Sequence, residues 1–136
     1  MNIPHIIRLT TFFSVLFLMV GCGTDSGFEG DLEKVELEGV WEITYAVRNG
    51  QPTSTLDGAE FVFMNNRFSS NVPGFAEDVQ QDYVVSQDSI YTGASFPEYF
   101  LIRSFFDDRM ELITVVHGHS FVFEIKRSPN SGEELN

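Results

Sequence analysis

The chain has 136 residues, 43% of them hydrophobic and 14% aromatic, with 20 Asp and Glu against eight Lys and Arg for a net charge of −12. So negative a protein is repelled by nucleic acid and by anionic lipid surfaces, which makes both poor partners, and no nucleic acid is expected. A single cysteine, Cys22, excludes an internal disulfide framework, and the length suits one domain with a modest core.

The first element in chain order is the N-terminal segment. Arg8 supplies a positive charge, Phe12-Phe13-Ser14-Val15-Leu16-Phe17-Leu18-Met19-Val20 is a short apolar run, and Gly21 sets a small residue before Cys22. About nine such residues are too few for a membrane-spanning helix, which needs about 20. Val20-Gly21-Cys22 resembles the end of a bacterial lipoprotein cleavage box, with Met19 in place of the usual leucine. The resemblance implies that residues 1–21 are a cleaved signal peptide. It also implies that Cys22 carries a thioether-linked diacylglyceryl group, joined by a further acyl chain on its amine. Two or three chains, at about 0.8 kcal/mol per buried methylene, hold a protein on a membrane where one would not. Such a protein sits in the bacterial cell envelope, and Gly23 at the position after the cysteine points to the outer membrane, on its periplasmic or surface face.

Residues 22–36 are polar, glycine-rich and acidic, the composition of a flexible tether with a mean reach of roughly 20 Å. Loss of residues 1–21 removes Arg8 and no acid, so seven basic residues then face all 20 acidic ones.

From residue 37 helical periodicity gives way to short apolar and aromatic runs every 8 to 12 residues, the pattern of a sandwich or barrel. Trp41, Ile43, Tyr45 and Val47 alternate with Glu42, Thr44 and Ala46, predicting a first strand with one buried face. Asn49-Gly50 opens a longer loop through residue 58. Strands follow at residues 61–64 and 67–70, joined by Asn65-Asn66, whose side chains tolerate positive φ. After a loop at 72–78, strands at 81–85 and 89–92 flank Ser86-Gln87-Asp88. Three more, at 98–105, 110–116 and 120–127, are joined by Asp107-Asp108-Arg109 and His117-Gly118-His119. Eight strands linked by tight turns predict an all-β, antiparallel, up-and-down eight-stranded barrel over residues 37–127, since closure removes the two exposed edges. Residues 128–136 read as a frayed tail.

Leu37-Glu38-Gly39-Val40-Trp41 puts Gly-x-Trp at the start of the first strand, which resembles the lipocalins. Phe61-Val62-Phe63, Tyr83-Val84-Val85, Asp108-Arg109-Met110-Glu111-Leu112 and Phe121-Val122-Phe123 are similar to the recurring pattern of small lipocalin-like domains on bacterial lipoproteins. The resemblance implies that Trp41 caps the closed end of the barrel beneath a basic side chain from a late strand, Lys126 or Arg127, in a cation–π contact worth roughly 0.5–2 kcal/mol. The chain departs from the family in its short strands and in lacking a C-terminal helix.

The chemistry-bearing candidates are few. His117-x-His119 offers two imidazoles but no third metal ligand, and Gly118 favours a turn. Glu77-Asp78 and Asp107-Asp108 suit solvated turns. No Gly-x-Ser-x-Gly elbow, phosphate-binding glycine loop, HExxH or dinucleotide fingerprint occurs, so neither catalysis nor a cofactor is expected. The distinctive feature is aromatic richness. Inward alternation selects Trp41, Tyr45, Phe63, Tyr83, Phe105 and Phe123 as lining for a small hydrophobic ligand, with ordinary core packing as the competing role. The alternative is a filled barrel that serves as an envelope protein-interaction module or inhibitor. It would act through the loops at 51–58 and 72–78, with Phe75 and Phe96 as its exposed apolar contacts.

Overall fold

The structure is a computed structural model that describes residues 34–77 and 79–129. The proposed signal at 1–21, Cys22, most of the tether, Asp78 and the end of the tail lie outside the described residues. A helical turn, α1 (Lys34–Leu37), leads into nine strands: β1 (Gly39–Arg48), β2 (Gln51–Pro52), β3 (Glu60–Met64), β4 (Arg67–Ser70), β5 (Val84–Ser86), β6 (Ser89–Tyr91), β7 (Tyr99–Phe106), β8 (Arg109–Val116) and β9 (His119–Arg127). All pair antiparallel, in the order β4-β3-β1-β9-β8-β7-β6-β5, with the two-residue β2 paired to the end of β1. Eight of the strands therefore form one continuous sheet, curled into a half-barrel.

The turn chemistry explains the connections. Asn49 and Gly50 hold φ of 50° and 77°, Asn65 and Asn66 hold 52° and 63°, and His117 and Gly118 hold 50° and 78°. Two consecutive positive φ values make the hairpin turn whose twist matches that of its flanking strands. Asn49-Gly50 thus reverses the chain at once and makes β2, where the sequence predicts only the start of a longer loop. Gly93, at φ +72°, is held against the Gln81 carbonyl oxygen, which a Cβ would meet at 2.7 Å.

First and last strands pair, β1 with β9, as an up-and-down meander requires. The seam lies elsewhere. Among the described residues no ladder joins β4 to β5, both of which are short. Described residues of the connection between them bond the β3–β4 hairpin: Tyr83 N–H to the Asn66 carbonyl at 2.9 Å, and the Val79 carbonyl accepting from Arg67 Nη1 at 3.3 Å. Strand pairing thus stops short of the closed barrel that the sequence predicts.

Two bulges set the curvature. Between Ile43↔Ile125 and Tyr45↔Glu124 the register shifts by one, leaving Thr44 as the extra residue, its hydroxyl donating to the Glu124 carbonyl at 3.1 Å. Between Ile102↔Leu112 and Ser104↔Glu111 the extra residue is Arg103, which pairs with Glu111 at 3.0 Å. Each extra residue bends its strand and reverses which side chains face inward. Ala46 is therefore buried and Tyr45 is 41% exposed, so the inward position predicted for Tyr45 is corrected. In β7 the same reversal turns Phe105 toward the core and leaves Phe106 74% exposed.

The concave side is a packed aromatic core. Phe61 sits at its centre, with ring centroids 5.7 Å from Phe68, 5.1 Å from Phe100, 5.1 Å from Phe123 and 6.1 Å from Phe75. Edge-on and tilted pairs of this kind add about 0.5–1.5 kcal/mol each beyond the area they bury. Phe75, expected on the surface, is buried: Phe75 N–H bonds the Val72 carbonyl at 3.1 Å, and that turn drives the ring between Phe61 and Phe121.

Candidate functional site

Four of the six aromatic residues selected from the sequence, Trp41, Phe63, Tyr83 and Phe123, are fully buried; Phe105 is half-buried and Tyr45 exposed. They fall into separate groups. Phe63 and Tyr83 meet edge to face at 5.3 Å, Phe123 packs on Phe61, and Trp41 lies 6.3 Å from Phe105. Each of these buried rings packs against a neighbouring ring, and the six do not converge on one cavity lining.

At the end where β1 and β9 start and stop, Trp41 is held on both sides. Its Nε1 donates to the Leu37 carbonyl at 2.9 Å, and the Arg127 guanidinium lies 4.3 Å from its ring centroid. Arg127 also donates to the carbonyls of Glu36 and Glu38, so one side chain ties β9, α1 and the first strand together. Of the two basic residues named from the sequence, Arg127 takes this place. Lys126 points outward and lies 3.8 Å from Asp108.

Tyr83 Oη donates to Glu38 Oε1 at 3.1 Å. Burial, and then the Glu38 carboxylate beside it, push the phenol well above its ordinary value near 10. The folded state therefore keeps its proton where the unfolded chain loses it. That contribution is complete below pH 10 and declines as pH rises from there toward the folded value. Denaturant unfolding from pH 8 to 11 should show stability falling above pH 10 in the wild type, and Tyr83→Phe should fall less steeply. Equal slopes would mean that the phenol ionises as freely in the fold as out of it.

The opposite end of the sheet holds a cleft of about 250 Å³. Its floor is apolar: Leu56, Val72, Phe75, Val116 and Phe121. Three hairpins and connections bring its polar rim together. Arg48 closes β1, Thr53 and Thr55 follow β2, and His117 and His119 flank the β8–β9 turn. The Arg48 guanidinium lies 5.8 Å from the Phe121 centroid. His117 stacks on Phe96 at 4.1 Å, and the Phe96 carbonyl accepts the Ala76 N–H at 2.6 Å, so the two loops that flank the cleft are joined.

His119 has a defined tautomer. Asn49 Oδ1 accepts the Ser120 N–H at 3.0 Å, which turns Asn49 Nδ2 toward His119 Nδ1 at 2.8 Å. An amide nitrogen only donates, so Nδ1 accepts and Nε2 carries the ring's proton. The two histidines do not converge on a metal: Nδ1 of one is taken by an amide, the other stacks on a phenyl ring, and among the described residues no group of three metal-ligating side chains occurs.

Comparison with protein-family models, with characterised proteins and with solved structures finds no match to this chain. The site has to be read from its own geometry. Sequence periodicity pointed into the sheet, where the rings pack on one another, and missed Arg48, Val72, Phe75 and Val116 as cleft residues. The available signal was the clustering of loops: residues 51–58, 72–78 and 117–119 were each recognised as turns or loops, and three loops from neighbouring strands meet at one end of a curled sheet.

The convex face carries a second feature. Val84 pairs with Tyr91 and Tyr91 with Tyr99, and the register Leu101↔Ile113 runs on to put Val115 beside Tyr99. These four side chains are each 45–59% exposed and make one apolar row across β5 to β8.

Proposed function

We propose that the protein is a lipid-anchored lipoprotein of the bacterial cell envelope whose lipocalin-like barrel binds a small hydrophobic ligand without catalysis. The observation that carries the binding role is the cleft: five apolar side chains form a floor at the end of a rigid sheet, with a few polar groups placed around it, the usual make-up of a small-molecule site. The lipocalin-like reading is supported by Gly39-x-Trp41 on the first strand, by the Arg127 guanidinium over Trp41, and by a meander whose first and last strands pair. On this reading β4 and β5 form a seam in a barrel that is otherwise continuous. The ligand site lies at the mouth, over Phe75 and Phe121, because aromatic rings occupy the interior.

Native mass spectrometry of the intact protein, purified gently from its host's envelope, tests the binding role. A bound mass lost on denaturation identifies a carrier and its ligand class; a clean apo mass after incubation with host lipid extract counts against it. The anchor has its own test. Cys22→Ser should move the protein out of the membrane fraction, and a variant that stays membrane-bound with residues 1–21 attached would overturn the lipoprotein assignment.

The row Val84, Tyr91, Tyr99 and Val115 favours a second reading, an interaction module. Its partner would be a protein with an apolar face edged by basic side chains, complementary to the chain's net charge of −12. Tyr99→Glu should then abolish the association and leave ligand binding intact.

A further inference from the structure

The charges around the cleft do not match the composition of the protein. Acidic residues outnumber Lys and Arg by 20 to eight over the chain, yet among the described residues lining the cleft there is one arginine, there are two histidines, and there is no carboxylate. Sorting of this kind places one cation and several neutral polar groups, with no acid among them, over an apolar floor.

Arg48 is the centre of that rim. Among the described residues it makes no ion pair, and the contact it does make, over the face of Phe121, leaves its planar fork of N–H donors uncommitted. Such a fork matches the two oxygens of a carboxylate, and charge-assisted bonds of this type are about twice as strong as neutral ones. His119, held by Asn49, keeps Nε2–H as its remaining donor. The hydroxyls of Thr53 and Thr55, 2.9 Å apart, add polar capacity on the same rim.

We infer that the cleft takes an amphipathic anion: an apolar body lying on Phe75 and Phe121, with an oxyanion of the carboxylate type held by Arg48 and by His119 Nε2–H. This rests on the cleft being the ligand site and goes further, because a neutral apolar molecule would leave the Arg48 donors unmatched. A cationic amphiphile would meet a like charge. A small anion without an apolar body would forgo the floor.

Isothermal titration of the full chain in phosphatidylcholine nanodiscs at pH 7.5, with empty nanodiscs as blank, separates these cases. The probes are 4-phenylbutyrate, its neutral counterpart 4-phenylbutanol, and acetate. Phenylbutyrate should bind about tenfold more tightly than phenylbutanol, the equivalent of about 1.4 kcal/mol, and acetate should not register. Arg48→Gln should bring the affinity for phenylbutyrate down to that for phenylbutanol, and Arg48→Lys should keep part of the preference. Equal affinities for acid and alcohol, or a preference that survives Arg48→Gln, would overturn the anionic assignment and leave the apolar cleft standing. Binding of neither aromatic probe would remove the cleft as a ligand site, and the inference with it.

Discussion

Replacing Trp41 by alanine is expected to lower the unfolding free energy by about 3–5 kcal/mol, the range for a large aromatic side chain removed from a core. Trp41 is fully buried, and its loss breaks more than packing. The Nε1 bond to the Leu37 carbonyl goes, which removes one of the ties between α1 and the sheet. The Arg127 guanidinium loses the ring beneath it while keeping its bonds to the Glu36 and Glu38 carbonyls, so a half-buried cation is left over a void. Urea unfolding followed by far-ultraviolet circular dichroism gives the number. A double-mutant cycle with Arg127→Met, which removes the cation and keeps an unbranched apolar stem, isolates the cation–π part, expected at about 0.5–2 kcal/mol. A near-neutral Trp41→Ala would mean that the end of the sheet is not capped by this residue, and would weaken the lipocalin-like assignment that depends on it.

The strands were legible in the sequence because their signals are local. Alternation and turn residues place all eight strands of the continuous sheet within a few residues, and Asn65-Asn66 and His117-Gly118 mark hairpins through the positive φ that those residues accept. Inward and outward faces were less legible. A bulge is one unpaired residue, invisible to a period-two pattern, and Thr44 and Arg103 each shift the phase of everything after them. The alternation that points Tyr45 inward holds through Ile43 and fails at the bulge that follows. Phe75 stands beside a glycine in a connection between strands, a local setting that predicts exposure. Its burial depends on Phe61, Phe121 and Phe123, which are distant in sequence, and no local rule joins them. The cleft is hidden from sequence for the same reason, being built from the ends of five segments.

Packing also explains why the cleft lies at the end of the sheet. Eight strands enclose little more than their own side chains, and this chain supplies phenylalanine at several inward positions where smaller residues would leave room. Phe61, Phe68, Phe100 and Phe123 contact one another. The cleft lies at an end of the sheet, where the connection through Val72 and Phe75 forms part of its floor. The core gives rigidity and the loops give the chemistry, the division of labour expected when a binding site sits on a scaffold.

Phe75 is where core and cleft meet, and Phe75→Ala should affect both. The ring stacks on Phe61 at 6.1 Å and meets Phe121 and Phe123 edge-on at 5.7 and 5.9 Å, so its truncation is expected to cost about 3 kcal/mol. The low end of the usual range applies because the connecting segment can settle partly into the space. The void opens onto the cleft floor and exposes faces of Phe61 and Phe123 to it. A ligand too long for the wild-type cleft then gains apolar surface to cover. Binding to the native state alone raises stability by RT ln(1 + [L]/Kd), about 2.7 kcal/mol at a hundredfold excess over Kd. Thermal unfolding with and without a longer phenylalkanoate such as 8-phenyloctanoate should therefore show a larger rise in Tm for Phe75→Ala than for the wild type. A variant as stable as the wild type would mean that Phe75 is not seated in the core. A destabilised variant with no added response to the longer acid would mean that the space vacated by the ring is cut off from the cleft.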